Sequence, residues 1–240
     1  SSFNGMHDRR PATKLLARAV LLTLAAVAAA GCSSSPDQPE AEMARKNQAA
    51  RYTEFGNGYF QAANFEMALN FFELALQENI AVDNLPGIAK SYNSIGRVYA
   101  ATENYASAQD RYQKAMEFAE LADDTKTVTQ TLINRGELHL RKGETTAALT
   151  SFERARDMAA AEEMQADPVL YHNLGTLYAR TDEYNKAVDH LETARALNED
   201  NDNWSELASN YFMLASIASR RENYAAARGY ALRALEYDKQ

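Results

Sequence analysis

Five segments of this 240-residue chain superimpose on one pattern, and that repetition restricts the fold more than any other feature. They are Tyr52-x-x-Phe55-Gly56-x-x-Tyr59, Tyr92-x-x-Ile95-Gly96-x-x-Tyr99, Leu132-x-x-Arg135-Gly136-x-x-His139, Tyr171-x-x-Leu174-Gly175-x-x-Tyr178 and Tyr211-x-x-Leu214-Ala215-x-x-Ala218. The anchors at 56, 96, 136, 175 and 215 give a period of 39–40 residues. Each is followed by a polar turn and then four further columns. These are Phe65, Tyr105, Thr145, Tyr184 and Tyr224; Ala68, Ala108, Ala148, Ala187 and Ala227; Phe72, Tyr112, Phe152, Leu191 and Ala231; and Ala75, Ala115, Ala155, Ala194 and Ala234. Steps of three and four put such residues on one face of a helix. Each unit is therefore a helix, a short turn and a second helix. Gly inside a helix costs about 1 kcal/mol relative to Ala. Its return to one column makes sense where a partner helix crosses too closely for a side chain. The Ala columns are expected to form the other side of that contact, and the large columns to fill holes between neighbouring helices. One pair cannot bury both of its faces, so the units must stack into a solenoid.

Composition agrees. Ten Gly and five Pro are too few for the turns of an all-β sandwich. The single cysteine, Cys32, leaves no intrachain disulfide and no multi-cysteine metal site. A net charge of −8 is a poor basis for nucleic-acid binding, which needs clustered Lys and Arg.

These columns resemble the tetratricopeptide repeat over about residues 45–240. The resemblance implies an all-α, right-handed superhelical solenoid of five antiparallel helix pairs, at about 45–80, 85–120, 125–160, 167–199 and 203–240. Repeat three departs, with Arg135 and His139 in apolar columns. Repeat five lacks both the Gly and the large apolar residue of its second helix. The family's usual period is shorter, and the extra residues are expected as longer helices, as in its peptide-binding members with long repeats. Glu40 to Arg51 is expected to prolong the first helix.

The N-terminus reads as an address. Met6 is taken as the start, with Ser1 to Gly5 as extra residues. Arg9, Arg10 and Lys14 precede an apolar run, Leu15 to Ala30, broken only by Arg18 and Thr23. That run is short for a membrane span, which needs about twenty residues. With the small residues Ala29-Ala30-Gly31 after it, segment 1–31 reads as a secretory signal peptide. Ala29-Ala30-Gly31-Cys32 resembles the lipobox of bacterial lipoproteins, although the family prefers Leu where Ala29 stands. The resemblance implies cleavage before Cys32, lipidation of its sulfur and attachment to a lipid bilayer. It places the protein in the bacterial cell envelope, on the periplasmic side of the outer membrane in a Gram-negative cell. The alternatives are a secreted protein with a stray thiol or an uncleaved anchor. Residues 32–40, polar and Pro-containing, read as a flexible tether.

No phosphate loop, dinucleotide fingerprint, nucleophile elbow or zinc helix motif occurs. His139 is read as a hydrogen-bonded core residue, His190 as outward-facing, and His172 as groove-facing. No catalytic residue, metal or cofactor is expected. In the repeat family, first-helix positions offset from the signature columns line the concave wall. Here they are Thr53, Asn57, Gln61, Lys90, Asn93, Arg97, Gln130, Asn134, Glu137, Arg141, His172, Asn173, Thr176, Arg180, Ser209 and Arg220. Five cations against Glu137 suit an extended protein or peptide partner that is acidic or bears a carboxylate. The alternative is that these are ordinary solvated helix charges. The two-carboxylate clamp of chaperone-binding relatives needs Lys where Thr53 stands, so that specificity does not carry over. The function expected is a non-enzymatic, membrane-anchored scaffold in assembly of a pilus, secretion or cell-wall complex. The rival is a small-ligand carrier serving a transporter. At the C-terminus, Tyr230, Leu232, Leu235 and Tyr237 lack a further capping element. The last pair is either more polar outside, or the C-terminal helix meets a second copy or a partner.

Overall fold

The computed structural model describes residues 38–239. Among the described residues there are ten helices: α1 (Gln38–Gln61), α2 (Phe65–Ile80), α3 (Leu85–Ala101), α4 (Tyr105–Leu121), α5 (Thr125–Arg141), α6 (Thr145–Ala161), α7 (Pro168–Arg180), α8 (Tyr184–Asp200), α9 (Trp204–Arg220) and α10 (Tyr224–Tyr237). They form five antiparallel pairs in a tetratricopeptide-like solenoid. The signal segment, Cys32 and the tether up to residue 37 lie outside the described residues. Helix α1 takes in Gln38, Pro39 and Glu40, which the sequence reading assigned to the tether. Residues 43–240 make one compact unit. Among the described residues no helix is long and apolar enough to cross a membrane.

One device makes all nine connectors. Each contains a residue in the left-handed region: Ala63, Asp83, Glu103, Asp123, Gly143, Glu163, Asp182, Asp202 or Glu222. The N–H of the next residue then reaches back five positions to close the preceding helix, as in Asn64 to Tyr59 O (2.9 Å) and Asn104 to Tyr99 O (2.8 Å). In eight of the nine turns that same residue is the N-cap of the following helix, and in four of them its side chain makes the cap. Asn64, Asn104, Asp124 and Asn223 accept from the backbone N–H three residues on. Stop and start signals are thus compressed into three residues, and the chain must reverse. Connector 162–167 is the exception. It has six residues where the others have three or, at 81–84, four, and α7 is four residues shorter than α5 or α9. That is why this step of the repeat is 39 residues and the others 40.

The glycine column works as expected, but its partner differs. A methyl on Gly56, Gly96 or Gly175 would sit 2.6 Å from Phe72, Tyr112 or Leu191 of the second helix, and one on Gly136 would collide with Phe152. The large column, not the Ala column, therefore lies against the glycine. The reason is geometric: a flat ring laid across a bare backbone fills the crossing and leaves no void. Ala68, Ala75, Ala108, Ala115, Ala148, Ala155, Ala187 and Ala194 are fully buried on either side of it. Ile95, Leu174 and Leu214, one residue before each anchor, pack into clusters with Phe72, Phe152 and Leu191 of the preceding pair. In repeat three, Arg135 instead donates to Met116 Sδ (3.2 Å), and His139 Nδ1 lies 2.6 Å from Glu144 Oε2, which keeps two polar side chains paired in apolar columns.

Buried amides clasp one pair to the next. Asn79 Nδ2 donates to Ser91 Oγ (3.2 Å), and Asn84 Nδ2 donates to Asn79 Oδ1 (2.7 Å). The arrangement recurs with Asn198, Asn210 and Asn203. Each amide sits at the end of one second helix and bonds into the next first helix, so the clasps help set the angle between pairs.

Candidate functional site

Helix α3 touches α5, α5 touches α7 and α7 touches α9, whereas α4, α6, α8 and α10 do not reach one another at these junctions. The first helices are crowded and the second helices splayed, which puts the first helices on the inner wall of the curve. The expected groove residues lie there at different depths. Asn93 and Asn134 form its floor: both are buried, and Asn134 Nδ2 donates to Asn93 Oδ1 (2.9 Å). Asn173 continues that row on α7 and is also buried.

Above the floor is a hollow of about 160 Å³ lined by Phe60, Arg97, Tyr112, Asn134, Glu137 and Arg141. The Arg97 guanidinium lies 4.6 Å over the Phe60 ring. Arg141 Nε and Nη2 donate to Glu137 Oε1 at 3.1 and 2.8 Å, and that bond holds the Arg141 pKa above its ordinary value. Burial, assisted by Glu137, pushes the Tyr112 hydroxyl well above the usual phenol range. Tyr112 therefore stays neutral at any physiological pH and can donate. The hollow offers two guanidinium groups, a phenol and an amide beside one carboxylate.

Sequence mapping thus brought Arg97, Asn134, Glu137 and Arg141 into one site. It missed Phe60 and Tyr112, which belong to the helix end and to a packing column. The only available signal was the hydroxyl of Tyr112 in a column otherwise filled by Phe, Leu or Ala.

The remaining wall residues lie outside this hollow. Lys90 Nζ is 3.9 Å from Asp124 Oδ2. Arg180 Nη1 donates to Leu140 O (2.6 Å), a tie across neighbouring pairs. Asn57 is half-buried on α1, and Arg220 is exposed at the end of α9. The count of five cations to one anion overstates the field, because Asp124 lies beside Lys90 and Glu206 adds an anion beside His172.

Next along the wall, His172 Nδ1, Asn173 Nδ2 and Thr176 Oγ1 are buried with no hydrogen-bond partner among the described residues. Three such atoms on two turns of one helix are costly, roughly 1–3 kcal/mol each if unmet. Burial lowers the His172 pKa below its ordinary value, against the opposing pull of Glu206 and Glu137. The unfolded chain then binds the proton more readily than the folded one, so stability falls as pH drops through the ordinary His range near 6.5. In urea melts between pH 7 and 5, His172→Gln is expected to flatten that loss; an unchanged slope would assign the acid sensitivity elsewhere. His190 does not face outward freely. It stacks 5.4 Å from Tyr178 and lies tilted 6.0 Å from Tyr171, both on α7.

The shortened α7 leaves a second cleft of about 450 Å³, open to solvent, between Gln130 and Ile133 of α5, Met164 of the long connector, Pro168 at the start of α7, and Asn201. Among the described residues no group of three His, Cys, Asp or Glu is placed to hold a metal ion.

The tetratricopeptide repeat profile matches residues 47–121, 88–161 and 167–240. No curated protein sequence matches the chain. Among solved structures, PilF of Pseudomonas aeruginosa superimposes with a TM-score of 0.60 at 20% identity, over 81% of this chain and 78% of its own. A Rap protein in complex with competence and sporulation factor gives 0.69 at 18% identity, over 79% of this chain and 54% of its own, so this chain spans about half the Rap protein. BtubC of P. vanneervenii gives 0.64 at 13% identity, over 86% and 92%. At these identities the likeness is one of fold.

Proposed function

Because the chain belongs to the tetratricopeptide repeat family, whose fold is a scaffold for protein–protein interaction, we propose that it holds an extended protein segment in its concave wall and does not transform it. The observation that carries this reading is the polar hollow of Arg97, Tyr112, Asn134, Glu137 and Arg141, continued along the wall by the unpartnered atoms of His172, Asn173 and Thr176. Two guanidinium groups select an acidic side chain or terminal carboxylate. Buried amides and a hydroxyl suit the peptide backbone, whose N–H and C=O groups must be matched when they leave water. The Rap protein bound to competence and sporulation factor shows that a related fold can be solved with a bound factor. The basic, apolar and small-residue leader ending at Cys32 supports a lipid-anchored envelope protein. Its tether would confine the search for a partner to a layer near the bilayer. A scaffold held at the bilayer in this way would serve the assembly of an envelope complex.

A photoreactive side chain placed in the full chain at Gln130, on the groove side, is expected to trap one protein on irradiation of intact envelopes. The same group at Glu117, on the splayed side, is expected to trap none. Equal trapping at both positions, or no protein adduct at Gln130, would reject the groove. A small-molecule adduct at Gln130 would replace this reading with a ligand carrier.

A further inference from the structure

We propose that copies of this chain stack head to tail, the C-terminal face of one (α9 and α10) seating on the N-terminal face of the next (α1), in the register the repeats use inside the chain. Inside the array, the residue before each anchor packs on the large column of the preceding pair: Ile95 near Phe72, Leu174 near Phe152 and Leu214 near Leu191. Those residues are 1–2% exposed. Phe55 holds the same register on α1; one side of its ring rests 5.5 Å from Phe71 of its own pair, and it is still 53% exposed. It is also bulkier than its three apolar counterparts.

The other end shows the inverse. Ala231 stands in the large column, and beside it lies a hollow of about 520 Å³ lined by Ala208, Phe212, Ala231, Ala234 and Leu235. Leu235 is 57% exposed and Phe212 67%. Leu235 has the register of Met116, which is 4% exposed in the core shared with the following pair. Phe212 has the register of Ile133, which is 1% exposed. Among the described residues, one end therefore carries an oversized exposed ring with no helix packed before it, and the other a hole with no helix packed after it. Both stand in the register where interior pairs meet. Such a heterologous contact leaves one free face at each end and extends by addition.

The full-length chain in mild detergent, followed by sedimentation velocity, is expected to grow beyond a dimer as concentration rises. Phe55→Asp alone and Ala231→Arg alone are each expected to reduce it to single chains with unchanged helicity. Mixed together, they should form a one-to-one dimer that grows no further, because each supplies the face the other lacks. The leader is common to all these chains, so differences among them report the faces alone. A parent chain that stays single at all concentrations would overturn the proposal. So would assembly that Phe55→Asp leaves intact, or variants that fail to complement. Loss on Ala231→Arg but not on Phe55→Asp would mean a symmetric contact between C-terminal faces and would also overturn it.

Discussion

Cutting Phe152 back to alanine will cost about 3–5 kcal/mol, the usual range for removing a buried ring whose site cannot collapse. Phe152 is fully buried between its own pair and the next, and it lies across Gly136. Gly136→Ala is the reciprocal test. Elsewhere in a helix this exchange stabilises by up to about 1 kcal/mol, but here the new methyl meets the ring, and overpacking costs about 1–3 kcal/mol. Gly58→Ala is the control: it is two residues from an anchor, in the same kind of helix, with nothing within 4 Å of the added atom. It should stabilise. In the double variant the ring is gone and the methyl has room, so Gly136→Ala should no longer destabilise on the Phe152→Ala background. Urea midpoints of the four chains give the coupling. If the two effects simply add, the glycine does not exist to seat the ring.

Replacing both Arg97 and Arg141 by Glu is expected to lower partner capture at least about tenfold, or 1.4 kcal/mol. Arg97 has an aromatic support and Arg141 a carboxylate. Reversal gathers three carboxylates around a hollow of about 160 Å³ that Asn134 also lines, and like charges repel an acidic segment that the originals attracted. Arg154→Glu with Arg156→Glu changes the net charge equally on the splayed side and should leave capture unchanged. Circular dichroism separates lost binding from lost fold. Equal loss in both pairs would mean that only overall charge matters, and no loss in the groove pair would remove the arginines from the site.

Much of the architecture was legible because repetition averages out local ambiguity. A single Tyr-x-x-Leu-Gly run is weak, but five at nearly equal spacing specify a helical pair, its turn and its stacking faces. Even the missing residue of the third step was visible, though not its cause, since a longer connector and a shorter α7 nearly cancel in the count. The left-handed residues were not legible, because eight of nine are Asp, Glu or Ala rather than Gly.

Of the site, sequence could name first-helix positions facing inward, since helical periodicity sets direction from the axis. It could not set depth. Asn93 and Asn134 became floor, Arg180 was turned to a backbone carbonyl, and Tyr112 entered the hollow from a packing column.

The order of helices, their pairing and the identity of the packing columns were thus determined by the chain alone, because they follow from contacts within about forty residues. Which side chains share one hollow, which charges are already paired and which end faces stay bare were decided only in three dimensions. Those properties depend on the angle and rise between successive pairs, and that angle is set by how the residue before each anchor packs on the preceding pair and how buried amides clasp.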